Sequence, residues 1–152
     1  MAETTEASTG YAGEVWLSTD TTTGNLAELV EVVSCSLPSD TAERVETTHL
    51  KSPNRRREYT SGMIDGGELE VTLNFRPGTD TDQLIEAALV AGDSRAVRFN
   101  IPELGTLAYT YDTTVLVTAY AKGEVTADGK MEATVTMAVT GAVTGGAYSA
   151  PA

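Results

Sequence analysis

Few side chains in this chain of 152 residues are of a type and spacing that could do chemistry. His49 is the only histidine, so a Ser-His or Cys-His catalytic pair would have to run through it, and no His-based metal site can form within one chain. It reads as a polar residue at a strand end. Cys35, the single cysteine, lies in an apolar alternating stretch between Val33 and Leu37 and reads as a buried, inert thiol. Glu68 and Glu70 have the chemistry of a glycosidase carboxylate pair, but they alternate with Leu69 and Val71 and so occupy the solvated face of a strand. Asp80, Asp82 and Asp93 lack the glycine-containing spacing of a calcium loop, and Gly141, Gly145 and Gly146 lead into no helix that would cradle a phosphate. No enzyme activity, cofactor or metal is therefore expected. The remaining anomaly is Arg55-Arg56-Arg57, the one basic cluster of an acidic chain.

Charge and composition narrow the classes further. Ten Lys and Arg against 22 Asp and Glu give a net charge of −12, which argues against attraction to nucleic-acid phosphates or to an anionic membrane surface. Hydrophobic residues at 41% leave enough material for one core but no apolar run long enough to span a membrane. A single cysteine allows no intrachain disulfide, so folding in the cytoplasm is expected, and the N-terminal residues are acidic where a secretory signal is basic, so no Sec-type export is expected.

The elements that would hold these residues are mostly strands, because Thr is abundant and the apolar pattern has period two. Residues 1–13 read as an N-terminal arm, 14–140 as one β domain, and 141–152 as a C-terminal tail. Strands are expected over 14–18, 29–37, 42–49, 59–64, 68–75, 95–101 and around Leu107, Tyr109 and Tyr111, with Pro102 as a stop. Leu50 to Arg57 is a projecting loop, since Ser52-Pro53-Asn54 is turn chemistry and three arginines cannot be buried without partners. Thr81 to Ala91 is the one helix, with Leu84, Ile85, Ala88 and Leu89 as its apolar stripe and Gly92 past its end. Either Asp80 with Gln83 or Thr79 with Asp82 supplies the capping spacing. Two long strands, 113–126 and 130–140, meet at Asp128-Gly129. A bulge at or near Gly123 would set Ala121 against Val135, Ala119 against Met137 and Val117 against Val139.

The segment from Asp40 to Phe75 resembles the major tail tube protein of long-tailed phages, a family also found in gene transfer agents. The resemblance rests on Glu46-Thr47-Thr48-His49, Ser52-Pro53, and Arg57-Glu58-Tyr59-Thr60-Ser61-Gly62-Met63-Ile64-Asp65-Gly66-Gly67-Glu68, with Met63 where Leu is usual. It implies a mainly β fold with one helix: a β-sandwich or barrel-like core, a flanking α-helix and a projecting loop. It further implies a structural subunit of the virion tail, made in the host bacterial cytoplasm and stacked as six-fold rings around a tape measure protein. Tail terminator and baseplate or distal tail proteins would bound the tube, and DNA would pass through it without specific binding. On that basis Ser52, Pro53, Asn54, Arg55, Arg56, Arg57, Glu58 and Tyr59 form an inter-subunit loop, and Glu68, Glu70, Glu124 and Glu132 are candidate lumenal acids. Both terminal segments are then expected to be ordered by neighbouring copies. The rival is a carbohydrate-binding or adhesin β-sandwich, which needs exposed aromatics in a groove; only 6% of residues are aromatic, and most fall at inward strand positions.

Overall fold

The structure, a computed structural model, describes residues 9–21 and 25–148. Expectations for residues 1–8, 22–24 and 149–152 lie outside it. The first strand, β1 (Glu14–Ser18), sends Val15 and Leu17 into the core and Trp16 outward, as its alternation requires. Of the strand expected over 29–37 only β3 (Val32–Cys35) forms, and an unexpected strand, β2 (Leu26–Glu28), precedes it, divided from it by a short turn. Between them Glu31 takes a left-handed φ of 60°, and Leu29 is turned fully into the core. The division has a topological purpose. β2 pairs with β1, whereas β3 pairs with β6 (Glu68–Asn74) at the far end of the same sheet. The short turn between β2 and β3 therefore ties the two ends of the sheet together and curls it into a barrel-like body.

The remaining strands of that sheet are β7 (Ser94–Glu103), β8 (Thr106–Lys122), β9 (Glu132–Val139) and β10 (Thr144–Ala147), in the antiparallel order β2-β1-β7-β8-β9-β6-β3 with β10 also on β8. Leu69, Val71 and Leu73 of β6 are buried as their period predicts, and they meet Val97 and Phe99 of β7, Val115 and Val117 of β8, and Val135 and Met137 of β9 in one core. Pro102 does not stop β7; the strand runs through it on a register shift between Ile101 and Pro102. The strand expected around Leu107, Tyr109 and Tyr111 is the first part of β8 rather than a separate element. Part of the expected tail is also a strand: Thr144 to Ala147 pair with Asp112 to Tyr109 of β8.

The helix α1 (Asp80–Ala91) is capped by Thr79, whose side chain accepts from the Asp82 amide at 3.4 Å, so the second of the two capping options holds. Gly92 closes it in the left-handed conformation at φ 65°. Ile85 and Ala88 are buried, Leu84 is partly buried, and Leu89 lies at the exposed margin of the stripe. Thr81 accepts from the Val30 amide at 3.2 Å, which seats the helix on the β2–β3 turn.

The β8–β9 register differs from the expected one. Val117 faces Met137, not Val139, and the irregularity lies at Thr118, between Val117 and Ala119, rather than at Gly123. The shift turns Tyr120 inward opposite Val135. There its ring meets Phe75 edge-on with centroids 6.5 Å apart, and its hydroxyl donates to Asp82 Oδ1 at 2.9 Å. Burial and that carboxylate push the phenol's pKa up. Packing an aromatic thus outweighs the Asp128-Gly129 turn signal: the strands end at Lys122 and Glu132, and residues 123–131 form a longer loop. Gly123 is still required, because its amide donates to the Glu132 carbonyl at 2.8 Å and a Cβ there would lie 2.6 Å from that oxygen.

Candidate functional site

The most unusual element is a second, two-stranded sheet of β4 (Thr41–Glu46) and β5 (Tyr59–Asp65), which among the described residues pair only with each other. The expected strand to His49 stops at Glu46, and every β4 residue is exposed. A lone pair of strands is marginal in water. This one nevertheless presents Met63 and Ile64 at 83% and 68% exposure, with Val45 and Tyr59 also open. The strand expected over 59–64 is thus the returning side of an arm that stands away from the body. The missed signal is in the residues themselves: 59–64 lacks the alternation of a strand with one covered face. The arm springs from Asp65-Gly66-Gly67, where Asp65 accepts from the Gly67 amide at 2.9 Å and Gly67 has φ 72°. A Cβ on Gly66 would come within 2.5 Å of Val139, so glycine permits the close seating of the arm's base.

At the arm's tip the predicted residues come together. Ser52 donates to Glu58 Oε2 at 2.6 Å and accepts from the His49 amide at 3.0 Å, while His49 Nε2 lies 3.5 Å from Glu58. The Glu58 amide donates to Thr48 at 2.8 Å. His49 therefore lies past the strand end and helps brace the loop. Pro53 opens a single turn (Pro53–Arg55) in which Asn54 and Arg55 have φ of 56° and 57°, an uncommon state for two successive residues with side chains. Arg57 has only a long contact to Glu46 at 3.9 Å, and the Arg44 guanidinium lies over the Tyr59 ring at 4.3 Å. Arg55 and Arg56 are exposed and form no ion pair among the described residues. The loop is a braced frame holding out unneutralised positive charge.

The candidate lumenal acids do not all share one setting. Glu68 and Glu70 are exposed on the outer face of β6, and Glu132, at the start of β9 opposite Asn74, continues that face. Glu132 is paired with Lys130 at 2.9 Å. Glu124 lies in the 123–131 loop and not on a long strand. Cys35 is exposed, contrary to the expected packing role, because β3 is an edge strand whose register slips between Val32 and Ser34; partial burial of its thiol pushes its pKa up. Among the described residues no group of three or more His, Cys, Asp or Glu could hold a metal ion, and no helix is long and apolar enough to cross a membrane. Of the aromatics, Phe99 is buried whereas Tyr11, Tyr59 and Tyr109 are exposed on separate segments, so the inward placement expected of them holds only in part.

Over residues 8–145 the sequence matches the family described as lambda phage tail tube protein. No curated protein matches the chain. Among solved structures, the fold is similar to a chain in the tail of an empty gene transfer agent particle refined with C6 symmetry, at 20% identity and a TM-score of 0.66 over 86% of this chain and 93% of that one. A chain in the virion of a native gene transfer agent particle gives 19% identity and 0.66, covering 87% and 95%. The SPP1 tail tube gives 13% and 0.64, covering 90% and 77%. At such identities the likeness is one of fold.

Proposed function

The chain belongs to the lambda phage tail tube protein family, and from that membership we propose that copies of it stack as six-fold rings into a tube, assembled around a tape measure protein and later conducting DNA. It acts as a structural subunit, without a catalytic step. The observation that carries this reading is the β4–β5 arm: an exposed pair of strands with apolar flanks and a braced basic tip has a physical reason to exist when neighbouring copies cover it. The same assembly would draw on open strand edges such as that of β10. Electron microscopy of the purified full chain tests the proposal, with tubes or six-fold rings as the expected result. Monodisperse monomers under all conditions that support assembly of such subunits would overturn it.

Within the tube, Glu68, Glu70, Glu124 and Glu132 are the acids proposed to face the lumen, where negative charge keeps a passing duplex from adhering. Screening confines the effect to charges within about 8 Å of the DNA at physiological salt. Particles carrying Gln at these four positions are expected to assemble but to eject their genome several-fold more slowly, with the larger deficit at low salt. Unchanged ejection kinetics at low salt would remove these residues from the lumen.

A further inference from the structure

The rest of the subunit contains a surface suited to the arm's basic tip. Val15 and Leu17 point inward, so Glu14 and Trp16 share the outer face of β1, and the register sets Glu28 of β2 directly opposite Trp16. Two carboxylates therefore flank one indole at a sheet margin. Arg98 of β7 is the neighbouring cation, but it is already held by Asp112 at 2.7 Å, while Glu14 receives a long contact of 3.4 Å from the Asn100 amide group and its carboxyl lies within hydrogen-bond reach of Glu28. Partial burial, and after it the Glu14 carboxylate, push the Glu28 pKa up. Among the described residues no cation pairs with Glu14 or Glu28.

We propose that the Arg55-Arg56-Arg57 tip of one copy docks on the outer face of β1 and β2 of a second copy, with Glu14 and Glu28 receiving a guanidinium and Trp16 stacking against it. This rests on the tube reading and names the surface that its arm engages. Charge complementarity selects the occupant: the tip is the one basic cluster in a chain of net charge −12, and a guanidinium fits both a carboxylate fork and an indole face. Glu68, Glu70 and Glu132 fit less well. The first two are open carboxylates on a strand face opposite Ala138 and Thr136, and the third already has Lys130. Tip and receptor are different surfaces, so the contact is heterologous and can propagate through rings or between them instead of stopping at a dimer.

A charge swap in the full-length chain tests this. Arg55, Arg56 and Arg57 replaced by Glu, or Glu14→Lys with Glu28→Lys, should each reduce tube yield at least tenfold in sedimentation and microscopy, and the combination should restore it to within threefold of the original. Glu14→Gln with Glu28→Gln, which changes shape least, should reduce yield without altering the thermal transition of the subunit. Tubes of normal yield from the Gln pair would overturn the docking site, as would additive losses in the swap or rescue by Lys at Glu68 and Glu70 instead. In all three results wild-type tubes still form and the tube reading stands; absence of tubes from the wild-type chain overturns both.

Discussion

Replacing Arg55, Arg56 and Arg57 together with serine leaves the subunit folded and stops tube growth. The folded state does not depend on them: all three are exposed, two make no ion pair among the described residues, and the third reaches Glu46 only at 3.9 Å. Exposed changes of this kind shift stability by about 0.5 kcal/mol or less. The tip keeps its frame, because Ser52, His49 and Glu58 do the bracing. On the docking proposed above, assembly depends on the arginines differently. A desolvated charge pair at an interface is worth about 2 kcal/mol or more, and each 1.4 kcal/mol is a factor of about ten in affinity, so losing one arm contact weakens each joint by about thirtyfold. Every subunit in a growing tube offers such an arm, so the losses recur along its length. The expected outcome is an unchanged circular dichroism melt with no tubes at concentrations where the parent polymerises. Normal tubes from the triple variant would show that the arm holds its neighbours by its apolar flanks alone.

Phe99→Ala is expected to have the largest effect on the subunit itself. Phe99 is fully buried at the centre of β7, opposite Val15 on one side and Tyr111 on the other. Removing its ring leaves a void among residues of five strands that cannot all collapse into it, at a cost of about 3–5 kcal/mol. That is a large part of the roughly 5–15 kcal/mol that holds a domain folded. For a chain of this size it should lower the melting midpoint by about 10 °C. Val90→Ala, at an exposed helix position, serves as the control and should move it by a degree or two. A Phe99→Ala midpoint within the control's range would mean that the core is centred elsewhere.

What the sequence made legible follows from how local each signal was. The alternation of Glu68 to Asn74 and the helix with its Thr79 cap and Gly92 stop depend on neighbours a few residues apart, and both stand where their patterns put them. The basic loop was equally readable, since three arginines and a Ser-Pro turn specify exposure by themselves. Tyr120 was misplaced because its direction is decided by Asp82 and Phe75, distant in sequence, and a one-residue slip at Thr118 reverses every side chain beyond it. Cys35 was misjudged for a related reason: alternation reports that a strand has two faces, not that anything covers both. Thr144 to Ala147 form a strand with two glycines and hardly an apolar side chain, so backbone pairing to β8 is all that marks them. Glu14 and Glu28 become neighbours only once β1 and β2 are paired.

The turn that carries Leu29 also governs how the body can come apart. In an ordinary open sheet the two outermost strands fray independently, each exchanging its amide protons through a small local opening. Here the outermost strands are consecutive stretches of one segment, with Leu29 driven into the core between them and Val30 fastened to Thr81 of the helix. Peeling either strand away drags on the other and withdraws the plug. Solvent entry on that side is therefore a single cooperative event shared by both margins, while the β4–β5 arm, outside this closure, breathes without disturbing the body.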